Sequence, residues 1–237
     1  MKTPQTAGLS VIERGPVEGI NVRNKLWSLL RRKGRSRGQS LVEFVVILPI
    51  LLIMISGLIE FGFLLNTYLD VIDAARDGAR FGANIDPLLI DDGVPSCTGT
   101  TYLYRLVPCV VTQALAPQVI LDPANPPPGD SDDLVISVFT VSGTTISQRL
   151  GENGFPDADG WSLTGEHASN FTTAEVQAIL SATPGTPPST GIVMVEVFYD
   201  YHMILALPWI TAFVPNPITL HAYTLMPNTF AEPTPTP

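Results

Sequence analysis

The chain has 237 residues, of which 45% are hydrophobic, and a formal net charge of −9. This length allows one moderate buried core beside a membrane helix. Nine of the 13 Lys and Arg residues precede Gln39, so residues 39–237 hold 20 acidic and 4 basic side chains, a net charge of −16. Because such an acidic surface repels a phosphate backbone, composition argues against nucleic-acid binding.

A basic leader, residues 1–38, ends in the cluster RRKGRSRG directly before an apolar run. No charged residue lies between Phe44 and Ile59. Leu41 to Leu65 would extend about 37 Å as a helix, long enough to cross a hydrocarbon core of about 30 Å. The basic flank predicts a single-pass protein with a cytoplasmic N-terminus and an extracytoplasmic C-terminal part.

A secretory signal peptide is the alternative interpretation of this segment, because it also combines a basic region with an apolar one. Three features favour a membrane helix instead. The apolar run is long, Glu43 lies at its start, and no small-x-small cleavage site precedes polar sequence.

Amphipathic periodicity carries the predicted helix beyond the membrane. Small or apolar residues recur at steps of three and four over residues 61–82, while acidic residues follow the opposite face. Asp86-Pro87 is a stop signal. The sequence therefore predicts one helix from about Gln39 to about Ala83.

The remaining sequence predicts an extracytoplasmic α+β domain over residues 84–230, followed by a disordered Pro/Thr tail at 231–237. Thr172 and Glu175 have the spacing of a capping box, which predicts a short helix at its start. The predicted strands and helix are Leu134–Val141, Ile192–Tyr199, Ile218–Met226 and Thr173–Ser181.

Two cysteines, Cys97 and Cys109, follow the membrane segment. On an oxidising side of the membrane, a disulfide closing a small loop is the expected state. A reactive thiol is the alternative. A zinc site would need more ligands at closer spacing, and the sequence has no CxxC or HExxH.

The most informative stretch is RGQSLVEFVVILPILLIMISGLIEFGF, followed by DAARDGARFGA. Gly38 precedes the apolar run, and Glu43 is the fifth residue after it. This stretch resembles the class III signal of type IV pilin-like proteins. The Glu-Phe pair, the Leu-Pro within the helix and the Ala-Ala-Arg-Asp-Gly-Ala-Arg run resemble the TadE-like family in particular.

The resemblance implies a pilin-like fold and a structural role. A prepilin peptidase would cut between Gly38 and Gln39, while Glu43 and Phe44 would act in assembly and register. The implied partners are that peptidase, other pseudopilins, pilus-assembly membrane proteins and the lipid bilayer. The exported part is larger and richer in proline than that of a major pilin of such a system. This difference favours a minor, priming or tip subunit of a tight-adherence (Flp) pilus.

The carboxylates of the apolar helix call for a physical explanation. Burying Asp, Lys or Arg near a helix centre costs about 2.5–3.5 kcal/mol on insertion scales. The amine that processing creates at Gln39 is the expected partner of Glu43, and snorkelling to the cytoplasmic interface is the alternative. Glu60 is expected among the outer headgroups without a role, and Pro49 either kinks the helix or is merely tolerated.

Other patterns are weaker. Asp157, Asp159 and Glu166 match positions of a calcium loop, but Phe155 occupies its first ligand position, so an acidic turn is favoured. The 12-residue apolar run at 203–214 favours core packing, with a partner-binding surface as the alternative.

Isolated histidines and the lack of G-x-S-x-G or P-loop motifs predict no enzyme and no cofactor. The alternative function is an unprocessed single-pass protein whose exported domain binds a ligand or a surface. A membrane-tethered hydrolase is the third possibility.

Overall fold

A computed structural model describes residues 38–91, 93, 97, 100–117, 131–182 and 190–231. The predicted leader before Gly38 and the tail after Ala231 lie outside the described residues. Contacts divide the chain into two units, Met1–Leu52 and Ile53–Pro237.

A 44-residue helix, α1, spans Gln39–Gly82 and begins in the first unit. Within Ser40–Gly82, the most apolar 18-residue window has a mean hydropathy of 2.7, and none of that window is buried. By length and composition, α1 can cross a membrane. The predicted end near Ala83 agrees with the observed end to within one residue.

The second unit holds the C-terminal part of α1 and the remaining elements, which confirm the predicted α+β class. The predicted strands and short helix are all present and extend by up to two residues. The sequence did not predict the helices Leu103–Leu115 and Pro208–Thr211 or the short strands Thr145–Leu150 and Trp161–Ser162. The elements after α1 are α2 (Leu103–Leu115), β1 (Asp133–Ser142), β2 (Thr145–Leu150), β3 (Trp161–Ser162), α3 (Thr173–Ala182), β4 (Gly191–Tyr201), α4 (Pro208–Thr211) and β5 (Ile218–Asn228).

One antiparallel sheet has the strand order β2-β1-β4-β5, and β3 pairs with the free length of β1. β4 is central and buried on both faces, which explains its nearly continuous apolar sequence. Its valines at 193, 195 and 197 share one face, while Glu196 lies on the other, as the alternation predicts.

The main core lies between that valine face and two helices. Val71, Ala75 and Ala79 of α1 pack with Val107 and Val111 of α2 and with the sheet. The opposite face of the sheet buries a smaller cluster beneath Val176 of α3. At the start of α3, the Thr172 N–H donates to Glu175 Oε2 (2.8 Å) and the Glu175 N–H to Thr172 Oγ1 (3.3 Å), forming the predicted capping box.

Two further connections fix the ends of this core. Cys97 and Cys109 form a disulfide with a Cα–Cα distance of 5.8 Å, which ties the loop after α1 to α2. The Asn228 amide donates to the carbonyls of Gly82 (3.0 Å) and Ile85 (2.8 Å), which satisfies acceptors at the C-terminal end of α1. Ala231, assigned to the tail by the sequence, is fully buried.

Gly78 permits the close approach of α1 and α2. A Cβ at this position would lie 2.6 Å from Cγ2 of Val111, whereas one at Gly62 would meet nothing within 4 Å. Sequence reasoning predicts only that such a glycine weakens the helix, by about 1 kcal/mol relative to Ala.

Replacing Gly78 with Ala should therefore destabilise the full-length protein in detergent. Overpacking a core costs about 1–3 kcal/mol. Replacing Gly with Ala gains about 1 kcal/mol in helix propensity, so the upper part of the overpacking range gives a net loss of stability. Gly62→Ala is the matched control and should be neutral or stabilising. Chemical unfolding followed by near-UV circular dichroism measures both, and equal stability of the two variants would contradict tight packing at Gly78.

Candidate functional site

The segment with the predicted processing signal lies at the start of α1. Gly38 is exposed in a turn, and the Val42 N–H donates to its carbonyl at 3.1 Å, so the helix begins directly after it. Glu43 and Phe44 are exposed on the first turns. α1 continues through Pro49 as one helix. The functional roles assigned to these residues remain predictions.

A second carboxylate of α1, that of Glu60, is buried. It lies within the second unit and only 5% of its surface is exposed. Its Oε1 accepts hydrogen bonds from the Tyr201 hydroxyl (2.8 Å) and the Ile204 N–H (2.9 Å), and its Oε2 accepts one from the Leu205 N–H (2.8 Å). From the sequence, Glu60 is expected to have no role, whereas the structure surrounds it with three donors.

The donors come from the end of β4 and from the β4–β5 loop, residues 202–217. Two successive N–H groups aimed at one anion form a small backbone nest. The next residue, Ala206, has a φ of 42°, a left-handed conformation that a non-glycine residue keeps only where its surroundings enforce it. Burial and the hydrogen bond to Glu60 both raise the pKa of Tyr201, so the phenol stays protonated and can donate.

The same loop contacts α1 at a second point. The Trp209 indole N–H donates to Ser56 Oγ at 3.1 Å. Beside these contacts lies an apolar groove of about 280 Å³, lined in part by Gly57, Phe61 and Val214. The loop is therefore held against α1 by polar contacts next to an apolar groove.

Core packing, the interpretation that the sequence favoured for residues 203–214, is wrong for most of this segment. Met203 is buried, and Ile210 packs against the small cluster around Tyr201. In contrast, Ile204 is 62% and Phe213 87% exposed, and Trp209 is exposed as well. The apolar segment thus forms a surface.

A polar cluster on the opposite sheet face lacks the order of a catalytic triad. The buried Glu196 accepts hydrogen bonds from the Ser169 hydroxyl and the Asn170 N–H and lies 3.1 Å from His221 Nε2. A nucleophilic serine needs a base beside it, with the acid behind that base. Here the carboxylate stands between serine and histidine. His167 and His221 are isolated in sequence, but both rings stack on the Phe198 ring. Their ring centroids lie 4.3 and 4.5 Å from that of Phe198.

In the weak calcium candidate, the Asp157 carboxylate already accepts hydrogen bonds from the backbone. Oδ1 of Asp157 accepts hydrogen bonds from the N–H groups of Asp159 (2.9 Å) and Gly160 (3.2 Å), which is the pattern of an acidic turn. Glu166 is exposed. Among the described residues, no group of three or more His, Cys, Asp or Glu side chains is placed to hold a metal.

Together, these features define the class of protein: an α+β sheet unit that follows a helix of membrane-spanning length, the one such helix among the described residues. Residues 38–80 match the family model described as TadE-like protein, which confirms the predicted resemblance over that segment. That family is structural and pilus-related, so residues 38–80 are similar to part of a Tad pilus-related protein. The match covers Gly38 and most of α1 but none of the sheet. No curated protein and no solved structure matches the chain.

Removing donors or acceptors from the Glu60 site should destabilise the second unit. Hydrogen bonds to charged groups contribute about 1.5–3 kcal/mol, so Tyr201→Phe should lower the free energy of unfolding by roughly that amount. Glu60→Gln should do the same, because its amide N–H₂ would face a backbone donor. Tyr223→Phe, a hydroxyl deletion on the half-exposed ring of a neighbouring strand, is the control.

Unfolding of the detergent-solubilised full chain gives these energies. Hydrogen exchange read by mass spectrometry reports the Ile204 and Leu205 amides directly, and both should exchange faster in Glu60→Gln. Unchanged exchange at these two amides would show that Glu60 does not hold the loop.

Proposed function

We propose that this chain is a TadE-like pseudopilin, a minor structural subunit in the assembly of a tight-adherence pilus or a related secretion machine. The observation that best supports the proposal is that the family match and the helix begin at adjacent residues. The family match begins at Gly38 and α1 begins at the next residue. The proposed cut thus falls where the helix starts.

Cleavage at this position is sterically simple. Gly38 is exposed in a turn, and a Cβ there would meet nothing within 4 Å. Cutting after it removes residues 1–38 and leaves α1 whole on the mature chain. The basic residues of the leader favour a cytoplasmic position for this end and the opposite side of the membrane for the sheet unit.

Cleavage also supplies a partner for Glu43. The new N-terminal amine of Gln39 lies one helical turn before that carboxylate. A carboxylate in lipid is costly unless it is paired, so an amine from the same or a neighbouring subunit is a strong attraction as helices gather. Pairing between subunits would fix the axial register of adjacent helices.

The sheet unit supports a minor role, at the priming or tip position. Its core, disulfide and antiparallel sheet make it far more than a bare helix. The family resemblance implies that the major subunits of these filaments are little more than a helix. A bulky head is tolerated most easily where neighbouring subunits do not surround it on all sides.

Co-expression with a prepilin peptidase should shorten the chain by 38 residues and leave Gln39 at the N-terminus. Gly38→Leu should abolish cleavage, since a peptidase pocket shaped for a glycine would exclude the larger side chain. Gly34→Leu, a glycine of the same basic cluster, should be cleaved normally. N-terminal sequencing and intact mass provide the readout. A chain that keeps residues 1–38 beside an active peptidase would favour the unprocessed, ligand-binding alternative.

Glu43→Leu should abolish co-purification with partner pseudopilins and surface piliation without changing the melting temperature of the sheet unit. The apolar side chain inserts more easily, yet leaves the partner's amine without a counter-charge. Aspartate should restore assembly in part, because it keeps the charge on a shorter stem, and glutamine should restore little. If correctly cleaved Glu43→Leu assembles normally, the residue serves only as part of the peptidase signal.

A further inference from the structure

The β4–β5 loop presents an apolar surface without charge. No Asp, Glu, Lys or Arg occurs from Met203 to Leu220. Phe213 and Ile204 are largely exposed, and the Trp209 ring is exposed beside them. An exposed apolar patch of this kind marks a binding surface or a membrane contact.

Its attachment to α1 indicates what covers it. Trp209 bonds to Ser56, which belongs to the charge-free run Phe44–Ile59 that a bilayer must cover. Glu60, the residue after that run, accepts hydrogen bonds from the loop amides of Ile204 and Leu205. The loop therefore flanks the last turns of the apolar run, where hydrocarbon gives way to headgroups. Trp is the side chain most typical of that boundary.

Eight of the thirteen N–H groups of the loop donate within the protein, which lowers the cost of contact with a medium without water. Its N–H groups at 203, 204 and 205 donate to Asn216 and Glu60, and those from 210 to 214 donate to carbonyls at 207, 208 and 210. Pro208, Pro215 and Pro217 have no N–H. Irregular backbone enters a membrane only where its polar groups are satisfied within the protein.

We propose that the β4–β5 loop is a membrane-contacting element that inserts Phe213 and neighbouring apolar side chains into the bilayer leaflet at the C-terminal end of the spanning helix. Trp209 lies at the headgroup boundary, and the groove beside Gly57 and Phe61 faces acyl chains. The inference rests on α1 crossing the membrane, as in the proposed function, but not on cleavage or assembly. It gives the sheet unit a second attachment and a fixed height above the bilayer.

Tryptophan quenching by brominated lipid tests the proposal. The full chain carrying Trp27→Phe and Trp161→Phe retains Trp209 as its only tryptophan, and it is placed in phosphatidylcholine nanodiscs with or without bromine on the acyl chains. Trp209 emission should be blue-shifted, strongly quenched by bromolipid and protected from iodide. A variant that retains only Trp161, on β3, is the matched control and should be insensitive to bromolipid.

A charge at the tip should remove the effect. Phe213→Asp should make Trp209 accessible to iodide, whereas Phe230→Asp, at an exposed phenylalanine after β5, should not. Because Phe213 is mostly exposed in the protein, its substitution should leave the melting temperature in detergent unchanged. Iodide accessibility that is equal in the two variants would overturn the proposal.

A helix probe separates this inference from the proposed function. Phe44→Trp, in a chain without other tryptophans, reports insertion of α1 alone. Quenching of this probe without quenching of Trp209 would overturn loop insertion and leave the membrane span intact. Absence of quenching at both positions would overturn both. Protection of Trp209 that requires several chains per disc would assign the surface to a second copy of this chain and overturn the lipid proposal.

Discussion

The buried carboxylate of Glu60 is the interaction on which the arrangement of the second unit depends. One helix has to present an apolar surface to lipid and, further along, a small-residue face to a protein core. Glu60 lies where the charge-free run ends, and three donors from β4 and its following loop converge on it. Burying a charge costs several kcal/mol of solvation, and only well-placed partners offset that cost. Any displacement of the loop along α1 would therefore leave the carboxylate without partners.

A second polar anchor, at the far end of the same hairpin, makes the alignment unique. Asn228, the last residue of β5, donates to carbonyls at the end of α1. Between the two anchors, α1 offers Ala74, Ala75 and Ala79, with Gly78 in close contact with α2. Small side chains permit close packing but specify axial position weakly. The directional hydrogen bonds at both ends supply the register that this smooth surface lacks.

Local pattern was sufficient for most of the fold and insufficient for this site. α1, the three long strands and the capping box of α3 followed from periodicity and from residues adjacent in sequence. Tyr201, by contrast, lies 141 residues from Glu60 in the sequence. Hydrophobic periodicity cannot predict a contact between a helix and the end of so distant a strand. The sequence offered two signals for this site: Glu60 interrupts an apolar run, and the distant segment 203–220 is rich in proline and has no charged side chain. α2 was not predicted, and it contains an internal proline, Pro108, a residue that argues against a helix.

The two glutamates of α1 illustrate how one residue type takes different tasks through its surroundings. Glu60 is buried by its own chain, so its interactions belong to folding. Glu43 is exposed at the start of the helix, before the sheet unit begins. Because Glu43 is exposed, the proposed proteolysis would create a positive charge close to its carboxylate, and this charge would favour contacts between molecules. Stability and assembly would then be separable along one helix, each governed by its own glutamate.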